Sequence, residues 1–231
     1  MTKGFFDYPQ QAAYGRIVPK SKIFAFGNPT RRLRDLFATE IDQIVWRFKL
    51  APETLNLPAG LGVTEIQVFG VELKSGVADM SEDILRCIDN ATGFPIIFEI
   101  ASVARQGNRV RVVAAYKRPS EADSTKWVVG EYFSTAWLPA QTKRSPLPVV
   151  LNLASLYERI LRQLMPFSGN PGETLQSLVE RHRIMAVKQR ELTRLEDHLK
   201  REKQFNRKVE INAQMRTVKA EIETLTSGKA M

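Results

Sequence analysis

One short run of charged residues has the types and spacing that phosphodiester chemistry requires. Glu72 and Lys74 are separated by one leucine at the end of an apolar stretch. If that stretch is a strand, residues two apart point to the same side, so the carboxylate and the ammonium share one surface. Asp42 and Glu53, which lie upstream, could supply a second carboxylate. Two carboxylates that hold Mg²⁺ beside a lysine are the machinery of metal-dependent phosphodiester cleavage.

A structural interpretation of the same triplet competes with the catalytic one. Acid-x-lysine triplets often arise where a strand ends and its charged residues meet solvent. The proline-aspartate pair that usually marks the first acid of a restriction-endonuclease-like site is missing here. We therefore assign no catalytic residue and keep Glu72, Lys74 and Asp42 only as candidates. No cofactor and no metal site are expected unless the nuclease alternative holds, in which case the metal is Mg²⁺.

Other catalytic chemistries find little support in the sequence. His182 and His198 are far apart and have no flanking cysteine, which argues against a zinc site. The single cysteine, Cys87, lies on an apolar helix face with no histidine in the globular part, so we interpret it as core packing. The chain has no glycine-rich loop that ends in Gly-Lys-Ser/Thr, which argues against a P-loop nucleotidase.

Two groups of cations are candidates for nucleic-acid contacts. Arg31, Arg32 and Arg34 follow an Asn-Pro pair that predicts a helix start, where positive charge opposes the helix dipole. They either bind an anion or are tolerated there. Lys20 and Lys22 lie in Gly15–Phe26, which we interpret as an irregular edge strand interrupted by a proline. These two lysines contact phosphate or simply discourage strand addition.

The centre of the chain predicts a sheet. Thr64–Lys74 is apolar on both faces, as a strand covered on both sides would be. A helix capped by Ser81 follows, and then come three strands over Phe94–Ala101, Arg109–Lys117 and Lys126–Phe133. The Glu40–Leu50 segment is either a strand or the end of a helix. The fold class is therefore α/β (α+β), with a central mixed sheet.

One carboxylate is out of place in these strands. Glu99 lies in an otherwise apolar strand, so it must be paired or lie at a sheet edge. Arg111 and Lys117, on the next predicted strand, are the cations that we expect to reach it.

A second part of the chain is helical. Pro166–Gly172 marks a sharp boundary, and Glu173–Ser227 contains neither glycine nor proline. Two series of apolar residues follow helical spacing and lose phase across Lys200–Lys208. We predict an α/β domain over 1–165, a linker over 166–172 and a helical coiled-coil hairpin over 173–227. The alternative is one long helix, which would form a homodimer to cover its apolar stripe.

Composition sets the broad class. The chain has 231 residues, a hydrophobic content of 43% and a net charge of +9, which is compatible with a nucleic acid or an acidic partner. No apolar run approaches the ~20 residues of a membrane helix. The first residues lack the apolar core of a secretory signal. We expect a cytoplasmic protein with no membrane partner.

Five segments resemble a bacterial family known as domain of unknown function 4391. They are KLAPETLNL (Lys49–Leu57), EIQVFGVELK (Glu65–Lys74), SEDILRCIDNATGFPIIFEI (Ser81–Ile100), AAYKRPSEADSTKWVV (Ala114–Val129) and EKQFNRKVEINAQMR (Glu202–Arg216). The resemblance implies an α/β body with a coiled-coil-like tail. It also implies genes beside helicases and DNA methyltransferases, in clusters that resemble restriction-modification or antiviral defence systems. It carries over no catalytic residue.

Three functions remain open at this point. The favoured one is a non-catalytic accessory subunit that binds a helicase or DNA methyltransferase partner through its tail, and DNA as well. The second is a stand-alone DNA-binding module that uses the arginines near residue 32 and the basic tail. The third is a Mg²⁺-dependent, restriction-endonuclease-like nuclease.

Overall fold

A computed structural model describes residues 4–104, 107–120 and 127–227. The chain divides into two compact units, Met1–Pro166 and Phe167–Met231. The first unit is a mixed α+β fold built on a central sheet, and the second consists of long helices. None of the helices in the described ranges combines the length and the hydropathy needed to cross a membrane.

The described ranges contain nine strands and seven α-helices. The strands are β1 (Phe6–Asp7), β2 (Ala13–Ile17), β3 (Ile41–Leu50), β4 (Ile66–Leu73), β5 (Ile96–Ala104), β6 (Gly107–Pro119), β7 (Trp127–Ser134), β8 (Leu138–Pro139) and β9 (Ser145–Pro146). The helices are α1 (Lys20–Gly27), α2 (Arg31–Glu40), α3 (Pro52–Leu55), α4 (Glu82–Asn90), α5 (Leu153–Leu164), α6 (Leu175–Arg201) and α7 (Phe205–Ser227).

The main sheet has the strand order β2-β3-β4-β5-β6-β7, and β8 pairs with β6. Neighbouring strands are antiparallel except β4 and β5, which are parallel and joined through α4. A parallel pair requires such a crossover, whereas antiparallel neighbours need only a short turn. The small second sheet pairs β1 with β9. The predicted order of strand, helix and three strands is confirmed, and Glu40–Leu50 resolves as a strand from Ile41 onward.

The main core lies between α1, α2 and α4 and one face of the sheet. Alternate residues of β4 and β5, such as Val71 and Phe98, meet Ile84 and Ile88 of α4, and all four are almost fully buried. Ser81 caps α4, and its Oγ accepts a hydrogen bond from the Asp83 amide at 3.3 Å. The predicted cap is therefore confirmed.

The segment before α2 differs from the sequence interpretation. Gly15–Phe26 is not one edge strand, because β2 ends at Ile17 and α1 begins directly after Pro19. Asn28 is not the N-cap of α2 either: it is the C-cap of α1 and adopts the left-handed conformation, with φ 39°. Thr30 caps α2 instead, and its Oγ1 accepts from the Leu33 amide. Pro19 therefore separates β2 from α1 instead of interrupting a single strand.

Strand β2 forms one edge of the sheet and is bent. Its pairing with β3 shifts register between Ala13 and Arg16, and Gly15 lies between them with φ 66°. Glycine adopts this left-handed conformation without steric cost, and the conformation is typical of a bulge. All five residues of β2 are exposed.

A buried lysine fixes the C-terminal end of α4. Lys117 of β6 is 4% exposed, and its Nζ donates to the carbonyl oxygens of Asp89, Thr92 and Phe94 at 2.7, 2.7 and 2.9 Å. The carbonyls at a helix end have no partners within the helix, so a cation that bonds them there is favoured.

The Asp89 carboxylate completes this network. It is fully buried, with Oδ1 3.6 Å from Lys117 Nζ and Oδ2 accepting from Tyr132 Oη at 2.7 Å. Burial raises the pKa of Asp89 to about 6, although both neighbours favour the charged carboxylate. Loss of one partner of a buried pair costs ~3–5 kcal/mol, because the other charge stays buried.

The second unit contains α6 and α7. Helix α6 ends at Arg201 and α7 begins at Phe205, inside the segment where the apolar phase breaks. Leu192 of α6 and Ile211, Met215 and Val218 of α7 form a small buried cluster. Polar contacts flank it: Lys188 Nζ lies 2.7 Å from a Glu221 carboxylate oxygen in a salt bridge.

Replacing the buried lysine tests its role in stability. We expect Lys117→Met to lower the free energy of unfolding by about 3–5 kcal/mol near pH 8. Without the ammonium, the pKa of Asp89 rises further above its unfolded value. A carboxyl with a raised folded pKa supports stability in acid and loses that support as the pH rises through that pKa. The loss should therefore be smaller near pH 5, as urea unfolding at both pH values would measure.

The matched control is Lys143→Met, because Lys143 is an exposed lysine of the same unit. It should change the free energy of unfolding by no more than about 0.5 kcal/mol at either pH. Equal losses for Lys117→Met at the two pH values would show that Asp89 does not titrate in this range.

Candidate functional site

A cavity of about 820 Å³ lies at the carboxyl ends of the parallel strands β4 and β5. Asp42, Glu72 and Lys74, the three candidates from the sequence, all line it. Ligand sites of open sheets with crossover helices commonly lie at this end of the strands. We call this cavity the strand-end cavity.

Local pairing brings the three candidates together. Asp42 lies at a register shift in β3. Its neighbours in the chain, Ile41 and Gln43, pair with Leu73 and Glu72 of β4. The two carboxylates therefore extend from adjacent strands. The Lys74 amide donates to the Glu40 carbonyl at 2.9 Å, so the backbone stays paired beyond the end of β4. The other acid, Glu53, lies on α3, where it is bonded to Lys49 at 2.7 Å and does not line the cavity.

These three side chains have no strong partner of their own in the described ranges. No side-chain hydrogen bond or salt bridge joins Asp42, Glu72 or Lys74 to another residue there. Glu72 and Lys74 are both exposed at the cavity wall. Charged groups that converge on a cavity without neutralising one another are available to a ligand.

Lys20 lies beside the cavity as a structural cation. Its Nζ donates to the carbonyl oxygens of Phe37 at 3.0 Å and Ile41 at 2.6 Å, where α2 passes into β3. Burial lowers the pKa of Lys20, and Lys74 lowers it further, while Asp42 raises it. Lys20 and Lys22 belong to α1, so the prediction that they lie in an edge strand is wrong.

A buried ion cluster forms the base of the cavity. Glu99 of β5 is 1% exposed and is bound by two arginines that both line the cavity. Arg144 donates to its two oxygens at 2.6 and 2.9 Å, and Arg47 donates to Oε2 at 3.1 Å. Bidentate pairing of this kind is the strongest form of an arginine–carboxylate contact. The side chains of Arg144 and Arg47 remain 29% and 40% exposed, and both line the cavity.

These partners of Glu99 are not the expected ones. Arg111 pairs with Asp79, and Lys117 is held at the end of α4. Arg111 also lies opposite Ile100 in the β5–β6 register, so it projects from the other face of the sheet. Arg47 and Arg144 come from distant parts of the chain, and only the isolated carboxylate in an apolar strand signalled that a cation was needed.

Strand β4 makes room for this cluster at one glycine. Gly70 pairs with Glu99, and a Cβ at Gly70 would lie 2.4 Å from Arg47 Nε and 2.8 Å from its Cδ. The guanidinium therefore reaches Glu99 by crossing β4 where the strand has no side chain. Tyr8 lies on the other side of the arginines, and its hydroxyl is buried without a hydrogen-bond partner among the described residues.

Arg109, another cation that lines the cavity, already contacts other residues of the protein. Arg109 Nη2 donates to the Ala78 carbonyl at 2.9 Å, and its guanidinium lies 4.5 Å from the centre of the Trp137 ring. With Lys74, Arg47 and Arg144 it gives the cavity lining four basic groups against two carboxylates, those of Asp42 and Glu72.

The arginines of α2 belong to another surface. Arg31, Arg32 and Arg34 are exposed, and none of them lines the strand-end cavity. Arg34 Nε donates to the Pro29 carbonyl, and Arg32 borders a separate cavity of about 390 Å³. The predicted nucleic-acid contacts therefore do not form one site with the acid-x-lysine triplet.

The strand-end cavity can be tested for its fit to a metal ion. The described residues contain no group of three or more His, Cys, Asp and Glu side chains placed to hold one. Mg²⁺ typically uses one or two carboxylates together with waters and substrate phosphates. Asp42 and Glu72 meet that smaller requirement only if a phosphate completes the coordination.

Fold and site together define a mixed α+β protein with a charged cavity at the ends of two parallel strands. The chain belongs to the family described as Domain of unknown function (DUF4391), whose model matches residues 6–222. The family resemblance seen in the five sequence segments is thereby confirmed. Comparison with curated proteins and with solved structures gave no significant match.

Filling the space at Gly70 tests the base of the cavity. Gly70→Ala should displace Arg47 from Glu99 and lower the free energy of unfolding by about 1–3 kcal/mol, because the new Cβ overlaps the guanidinium stem. Gly93→Ala is the matched control, since nothing lies within 4 Å of a Cβ there. Thermal or urea unfolding compares the two variants. Equal stability would mean that Arg47 moves aside without cost.

Proposed function

We propose that this protein is an accessory subunit of a bacterial defence or restriction-modification-like system that holds nucleic-acid phosphates in the strand-end cavity. The observation that carries the proposal is that Lys74, Arg109, Arg47 and Arg144 all line this cavity. Phosphate oxygens are the anions that lysine and arginine bind most often on nucleic acids. The net charge of +9 supports the same class of ligand.

The fixed position of the two arginines adds to this argument. Glu99 neutralises only part of their charge and orients both guanidinium groups before any ligand arrives. Orientation in advance removes part of the entropic cost of binding. The exposed carboxylates of Asp42 and Glu72 repel phosphates from one wall, which restricts where a backbone can lie.

The helical unit supplies a docking element in this proposal. We infer a coiled-coil hairpin, because Arg181 Nη1 donates to the Leu225 carbonyl near one end while Lys188 pairs with Glu221 further along. Such contacts require the helices to run in opposite directions. Phe205 and Val209 of α7 are 77% and 54% exposed. A helicase or DNA methyltransferase of the same gene cluster is the proposed partner for these apolar side chains.

Two sets of basic residues allow a matched test of phosphate binding. Lys74→Ala combined with Arg109→Ala should weaken binding to a short mixed-sequence DNA duplex and reduce the slope of log affinity against log salt by about two units. The reason is that each neutralised phosphate releases counterions. Fluorescence anisotropy across a salt series measures both quantities.

The comparison variant replaces Arg31, Arg32 and Arg34 with alanine. These residues lie outside the cavity, so the salt slope should stay unchanged. If the α2 variant loses affinity and the cavity variant does not, the phosphates bind at α2 and the cavity proposal is wrong. That result would support the stand-alone DNA-binding alternative.

A second candidate function is Mg²⁺-dependent phosphodiester cleavage. The observation that favours it is that Asp42, Glu72 and Lys74 line one cavity with no hydrogen bond or salt bridge to neutralise their side chains in the described ranges. In that role the two carboxylates would bind the ion together with a phosphate, and Lys74 would lie beside the attacking water.

The isosteric variant Glu72→Gln separates these two candidates. As a strand-end charge, Glu72 contributes little, so the variant should change stability by no more than about 0.5 kcal/mol and neither protein should nick DNA. If Glu72 is a metal ligand, supercoiled plasmid with Mg²⁺ should be nicked by the wild type only. Nicking that persists in the variant would point to a contaminating nuclease, for which Asp42→Asn serves as a check.

A further inference from the structure

A second cavity, of about 520 Å³, lies at the opposite end of β4 from the strand-end cavity. Its wall is a series of neighbouring aromatic rings, tilted by 43° between Phe69 and Trp46 and by 40° between Trp46 and Tyr14, and the series ends at a cation. Trp46 lies 6.1 Å from Phe69 and 4.2 Å from Tyr14 between ring centres, and Arg16 lies 4.8 Å above the Tyr14 ring. We call this cavity the stacking pocket.

The stacking pocket also has buried polar groups. Gln67 and Glu65 are 4% and 9% exposed, and Gln67 Nε2 donates to Glu65 Oε1 at 2.6 Å. Lys49 Nζ lies 3.5 Å from Glu65 Oε2. Amide and carboxylate groups of this kind form hydrogen bonds with the edges of nucleobases. Arg16 and Lys22 supply positive charge at the same pocket.

Core packing does not account for the outer part of this series. Trp46 contacts the main core, but Tyr14 is 36% exposed on an edge strand whose five residues are all exposed. Its ring adds little to the buried area of the core. Aromatic rings that face a cavity beside basic residues are the recurring platform on which single-stranded nucleic acids stack.

We propose that the stacking pocket binds an unpaired nucleobase of a single-stranded nucleic acid. The base takes the place of the Arg16 guanidinium on the Tyr14 ring, and Arg16 and Lys22 then contact the flanking phosphates. The Glu65–Gln67 pair meets the polar edge of the base. This inference rests on the proposed function in one respect, that the ligand is a nucleic acid. It goes further because it makes part of that nucleic acid single-stranded.

The test compares two strands of equal charge. A fluorescein-labelled oligodeoxythymidylate and a fully abasic strand of the same length differ only in their bases. The wild type should bind the base-bearing strand about tenfold more tightly, because each stacked base contributes a favourable term that the abasic strand lacks. Tyr14→Ala should remove that difference, whereas Tyr14→Phe should keep it.

Phe26→Ala is the matched control, because Phe26 is an exposed aromatic residue of the same unit that does not line the pocket. It should leave the preference for bases unchanged. Lys22→Ala should weaken the binding of both strands equally, since it removes a phosphate contact. Circular dichroism checks that each variant is folded.

Two results would overturn the proposal: equal affinity of the wild type for both strands, or an undiminished preference in Tyr14→Ala. The first measurement needs no variant, so a folding defect cannot obscure it. Failure of the proposed phosphate function gives a different pattern. In that case the combined Lys74→Ala and Arg109→Ala substitutions leave the affinity for both strands unchanged, while the preference for the base-bearing strand persists.

Discussion

The buried carboxylate of Glu99 links several distant parts of the first unit. A buried carboxylate is costly unless cations and hydrogen bonds compensate for it, and here two arginines from distant segments do so. Arg144 also donates to the Phe6 carbonyl at 2.6 Å, so the same cluster fixes the N-terminal strand β1 against β9. The main sheet, strand β1 and the base of the cavity therefore all contact the same buried ion cluster.

Lys117 and Asp89, on the other face of the sheet, are also buried charges that need partners. Lys117 Nζ donates its three hydrogen bonds to backbone carbonyl oxygens, while the nearest Asp89 carboxylate oxygen lies farther away, at 3.6 Å. The cluster at Glu99 leaves donor groups facing a cavity, whereas the network at Lys117 leaves none. That difference is why we interpret the first as part of a binding site and the second as support for the fold.

Local sequence patterns predicted the core of the fold well. Alternating apolar residues and the Ser81 cap located β4 to β7 and α4, because these signals arise within a few residues. The alternation of side chains along a strand predicted that Glu72 and Lys74 share one surface, and both residues line the strand-end cavity. The interpretation failed around Pro19, where the proline precedes a helix instead of interrupting a strand.

The rest of the site could not be predicted, for a physical reason. Arg47 reaches Glu99 across Gly70, and Arg144 arrives from a proline-rich connector, so neither contact leaves a periodic trace in the sequence. The stacking pocket likewise depends on β2 lying beside β3, with Tyr14 over Trp46. Contacts between distant segments are set by the assembled sheet, and a single sequence gives only the types of residue that need partners.

The bend in β2 has a consequence for the behaviour of the protein at high concentration. A straight edge strand offers a row of free backbone donors and acceptors to which a second chain can add, and such addition seeds fibres. Gly15 breaks that row in the middle of β2, and Arg16 places a charge beside the break. The open edge of the sheet is therefore protected against intermolecular strand pairing, even though among the described strands β2 pairs with β3 alone.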